Sequence, residues 1–143
     1  MSYITNIQSL IYNDATVQSL VTSYTQTTTK YMVWSKSLLP KKVTTDTDSN
    51  YEPTVKDKTI NHYTASDIDG SIPFVQTIQI ASCKAYKEKD AIAIRDAVYN
   101  VLNKVRSTDG CSLFVCTKKP VIPPNNSEDN YNAQVFISVK SSN

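Results

Sequence analysis

Few residues in this chain could do chemistry. His62 is the only histidine and stands between Asn61 and Tyr63 in a polar stretch. Histidine is the commonest general base and a frequent metal ligand. No Cys, Asp or Glu lies at ligand spacing from it, so the sequence predicts a plain surface histidine. Asp67 and Asp69 precede Gly70 in the manner of a calcium loop, but the remaining ligands and the terminal Glu of the 12-residue pattern are missing. A turn before a strand is the expectation there. Ser, Thr and Tyr hydroxyls are plentiful, yet none has an identifiable base and orienting group. With only two glycines, Gly70 and Gly110, there is no glycine-rich loop to cradle a phosphate. The sequence therefore points to no catalytic residue, no cofactor and no metal, and the expectation is a protein that is not an enzyme.

Cys83, Cys111 and Cys116 make an odd count without CxxC spacing. Cys111 and Cys116 are five apart, which on one strand places them on opposite faces. Three free thiols and a reducing compartment follow. Fifteen basic and 13 acidic side chains are interleaved to a net charge of +2. The only adjacent basic pairs, Lys41-Lys42 and Lys118-Lys119, read as solvated loop charges rather than a phosphate-binding footprint. The N-terminus lacks the basic and apolar regions of a signal peptide, and no stretch approaches the ~18 apolar residues of a membrane span.

The elements behind these residues suit one domain over 1–143, long enough to bury roughly two-thirds of its unfolded surface. Ile4, Ile7, Leu10, Ile11, Val17, Leu20 and Val21 give helical spacing over 3–22, with Asp14 placed to cap a second piece after a break. A strand is expected from Ile72 and Pro73, with Phe74, Ile78 and Ile80 on the core face. A long helix follows over about 87–106, its stripe made of Ala91, Ile94, Val98, Val101, Leu102 and Val105, its ends charged to suit the dipole, and Asp109-Gly110 as its stop. Leu113–Lys118 and Ala133–Val139 close the domain, the latter with Val135, Ile137 and Val139 on one face. The fold class expected is α+β: a mixed or antiparallel sheet of about four strands packed on an N-terminal helix and one long central helix.

Residues 38–71 stand apart. They are rich in Thr, Asp, Ser, Lys and Asn and broken by Pro40 and Pro53, so they read as an extended polar β-hairpin arm within the domain. Exposed tyrosines on such an arm offer large contact area at low entropic cost. The candidate interface residues are Tyr31, Lys41, Lys42, Tyr51, Val55, Ile60 and Tyr63.

The order of elements resembles that of the tail terminator, or tail completion, proteins of long-tailed bacteriophages. The features that carry the resemblance are Ile7-x-x-Leu10-Ile11…Asp14…Val17-x-x-Leu20-Val21, then Pro73-Phe74-Val75-Gln76, the polar link Lys84–Glu88, the helix Ala91…Ile94-Arg95-Asp96-Ala97-Val98…Leu102, and two closing strands. It is sharpest over 73–105. The resemblance implies a structural virion protein, assembled in the host cytoplasm, that forms a hexameric ring at the head-proximal end of the tail tube. Its partners would be other copies of itself, the tail tube protein and the head connector or neck proteins, with genomic DNA passing through the lumen without sequence-specific binding and no membrane involved. The alternatives are another neck component, such as a head completion or tail-tube-like protein, or a small nucleic-acid-associated module using Lys41, Lys42, Lys118 and Lys119.

Overall fold

The N-terminal apolar stripe folds as two helices, α1 (Tyr3–Tyr12) and α2 (Ala15–Leu20), in a computed structural model that describes residues 3–65 and 77–141. Asp14 makes the break. Its Oδ2 accepts the Val17 N–H at 2.9 Å, satisfying an amide that has no intrahelical partner at a helix start. Next come β1 (Ser23–Gln26) and β2 (Thr28–Tyr31), a separate antiparallel pair. Gln26 pairs with Thr28, so Thr27 alone makes the turn, at φ +65°. A β-branched residue is costly in this left-handed region. Its N–H is held by Asp46 Oδ1 at 2.8 Å.

The main sheet contains β3 (Val33–Trp34), β4 (Thr59–Thr64), β5 (Thr77–Ala85), β6 (Val105–Arg106), β7 (Ser112–Lys118) and β8 (Tyr131–Ser141), with α3 (Glu88–Leu102) between β5 and β6 in the chain. Its order is β3-β4-β5-β8-β7-β6. β3 runs parallel to β4 and every other neighbouring pair is antiparallel. The class is α+β as expected, with six strands in the sheet rather than about four. Both edges are strands of two residues.

α3 packs across β5, β8 and β7, and α1 and α2 pack against α3. Ala91, Ile94, Ala97, Val98 and Leu102 are its buried residues. They share one core with Ala81, Cys83, Ala85, Phe114, Cys116, Ala133, Val135, Ile137 and Val139. The expected core face of β5 is reversed. Ala81 lies between His62 and Val135, whereas Ile80 lies between Tyr63 and Phe136. Directly paired residues share a face, so Ile78 and Ile80 point away from the helices. The small side chains of Ala81, Cys83 and Ala85 face inward, where the helix lies close. Phe74, Ile72 and Pro73, and the Asp67-Asp69-Gly70 turn, lie outside the described residues.

α3 also ends sooner than its stripe suggests. Lys104 turns at φ +63° and donates its N–H to the Phe114 carbonyl at 2.8 Å. Val105 then pairs with Phe114 as β6. Pairing with β7 overrides the helical periodicity, so Lys104 and Arg106 lie beyond the last helical turn. Gly110, at φ +75°, turns the β6–β7 hairpin instead of stopping the helix.

The reading of 38–71 as one projecting arm is corrected over 59–64. Residues 59–64 are β4, paired with β5 along their whole length. Thr59, Ile60, Asn61 and His62 are buried. Before them a single bridge, Val43 with Tyr51, is all that the described residues hold of a hairpin. Polar groups in β4 are tied to distant segments. Asn61 Nδ2 donates to the Leu38 carbonyl at 3.2 Å, and Thr22 Oγ1 accepts the Lys58 N–H at 2.8 Å just before the strand. His62 is no surface residue. Its Nε2 is hydrogen-bonded to Gln8 Oε1 on α1, whose Nε2 donates to the Val33 carbonyl at 3.1 Å. Burial pushes the His62 pKa down to about 4, since a charged ring is poorly solvated there.

Candidate assembly surface

The structure scatters the candidate interface residues. Ile60 is fully buried in the core and is unavailable to a partner, because β4 belongs to the sheet. Tyr31 packs edge-on against Tyr12, ring centres 5.5 Å apart, and its N–H donates to the Tyr12 hydroxyl at 3.2 Å. It braces the β1–β2 hairpin. Tyr51 donates its hydroxyl to Asp57 at 3.0 Å. Burial first, then the Asp57 carboxylate, raises its pKa above the ordinary value. Tyr63 is half-buried on the sheet face away from the helices, 3.5 Å from the Ser82 hydroxyl, and lines a hollow of about 660 Å³ with Ile80 and Phe136. Lys41 and Lys42 are exposed on the loop before Val43. Val55 is 39% exposed.

Val55 borders a different depression, where charge and an exposed aromatic ring come together. Two hollows meet at Tyr86, which is 57% exposed just beyond the end of β5. One, of about 370 Å³, is lined by Lys56, Lys58, Tyr86, Lys87 and Asp90. The other, of about 620 Å³, is lined by Val55, Tyr86, Pro124, Asp129 and Tyr131. In the sequence Tyr86 stands out only as part of a polar link. The one local signal is an aromatic residue at the end of a strand, just ahead of a charged helix start. The other lining residues come from segments that nothing in the sequence places together.

The Lys118-Lys119 pair is committed within the chain. Lys118 pairs with Asp96 at 3.1 Å and sits 4.8 Å from the centre of the Tyr99 ring. Lys119 lies 4.9 Å from the centre of the Phe136 ring. Such contacts occupy the cations and leave less of this pair for phosphates. Among the described residues no group of three or more His, Cys, Asp or Glu could hold a metal, and no helix is long and apolar enough to cross a membrane.

No family model matches the chain, and no curated protein matches it. Its fold is shared with a chain of the virion of a native gene transfer agent particle. That likeness has a TM-score of 0.58 at 12% identity and covers 96% of this chain and 92% of that one. At this identity the likeness establishes a shared fold over nearly the whole of both chains.

Proposed function

We propose that this chain is a virion structural protein of the tail terminator or neck class. It forms a ring of six at the head-proximal end of a tail tube, stops tube polymerisation and joins the tail to the head connector, with DNA passing through the lumen. It has no catalytic role in this reading. The observation that carries the proposal is the near-complete fold match to a virion chain, and the order of helices and strands in the sequence supports it. Different surfaces of one chain can meet head to tail and close a ring when the rotation closes.

Sedimentation and negative-stain imaging of the purified chain, followed by its addition to growing tail tubes, test the proposal. Six-copy rings that halt tube growth are expected. Copies that add along the tube would instead favour a tube-like component. A monomer that binds DNA with a steep salt dependence would replace the proposal with a nucleic-acid module.

A further inference from the structure

The Tyr86 groove and the loop over 44–52 carry complementary chemistry. In the smaller hollow Lys56, Lys58 and Lys87 outnumber Asp90, beside a largely exposed tyrosine. The loop presents Asp46 and Asp48 in an exposed run, 46–50. Ion pairs among the described residues join Lys84 to Glu128, and Arg95 and Lys118 to Asp96. The three groove lysines, Asp46 and Asp48 take no part in them.

The loop is already stiff. The Thr45 N–H donates to the Asp48 carbonyl at 2.8 Å, and Thr45 Oγ1 accepts the Asp48 N–H at 2.9 Å. Its tip is pinned to the β1–β2 hairpin, the Asp46 N–H donating to the Thr25 carbonyl at 2.8 Å and the Asp46 carboxylate holding the Thr27 N–H. A tip held this way loses little conformational freedom on docking.

We infer that the 44–52 loop of one copy seats in the Tyr86 groove of the next, with Asp46 and Asp48 against Lys56, Lys58 and Lys87. The inference rests on the ring reading above and names its subunit contact. Loop and groove are different parts of the chain, so each copy can give its loop to one neighbour and take the loop of the other, head to tail around a ring. Tyr86 supplies a flat aromatic wall and a hydroxyl beside the carboxylates, the kind of residue on which interface energy concentrates.

The test is a charge swap read by sedimentation across protein concentration. Lys87→Glu reverses the groove at a residue whose side chain makes no capping bond, and an acidic residue there suits a helix start. Asp48→Lys reverses the tip. Each single variant is expected to raise the concentration for half-assembly at least about tenfold, and the double variant to return it to within about threefold of the parent. Tyr86→Ala is expected to weaken assembly about tenfold or more, with circular dichroism confirming the fold in every case. Single variants that assemble like the parent, or folded variants whose combination gives no recovery, overturn the contact while the ring reading stands. A parent chain that remains monomeric at every concentration overturns both.

Discussion

Acid should destabilise this protein through a single histidine. His62 is fully buried, and its Nδ1 has no hydrogen-bond partner among the described residues. Its folded pKa of about 4, against an ordinary 6.5, means that the unfolded chain takes up the proton first as the pH falls. Stability from keeping the ring neutral is therefore complete above about pH 7, is lost between 6.5 and about 4, and changes no further below that. The full difference corresponds to about 3 kcal/mol, of which about 2 kcal/mol is already lost at pH 5. Urea denaturation at pH 7 and pH 5, for the parent chain and for His62→Gln, separates this from carboxylate titration. The variant retains a polar group for Gln8 but cannot take up this proton. The parent should lose about 2 kcal/mol more than the variant over that interval. Equal losses in the two proteins would show that His62 is hydrated in the folded state and that the buried position assigned to β4 is mistaken.

Leu102→Ala should lower the unfolding free energy by about 2–5 kcal/mol, because the side chain is fully buried in the last turn of α3 and its removal leaves a cavity. An unchanged urea midpoint would move that turn to the surface. Thiol titration should find one fast group in the native protein and three after denaturation without reductant. Cys111 is exposed while Cys83 and Cys116 are buried, and burial pushes the Cys116 thiol up to about 12 and raises that of Cys83. Fewer than three after denaturation would indicate a disulfide.

Sequence signals are legible here where the partners are local. Asp14 caps a helix within its own turn, the stripe from Ala91 to Leu102 repeats on one helix face, and Val135, Ile137 and Val139 alternate along one strand. β4 is hidden because what makes buried Asn61 and His62 tolerable comes from Leu38 and from Gln8, 23 and 54 residues away. The face of β5 misleads for a related reason: hydrophobicity ranks Ile80 above Ala81, but the close approach of α3 selects for size. The candidate surface is the least legible part. Val55 and Lys58, Tyr86 and Lys87, and Asp129 come from three separate segments, and only the folded sheet end brings them round one aromatic ring.

The two-residue strands at both edges of the main sheet bear on how the chain can be stored before it is used. A long open edge is a template on which another chain can add its own backbone, and sheet proteins at high concentration aggregate by that route. β3 and β6 offer two residues each, and the Thr27 turn keeps the β1–β2 ribbon to four residues a side. Unscheduled strand addition is thereby discouraged, and association falls to side-chain surfaces that must match in shape and charge. Such a chain can reach high concentration without unscheduled sheet growth, its association left to side-chain surfaces that fit.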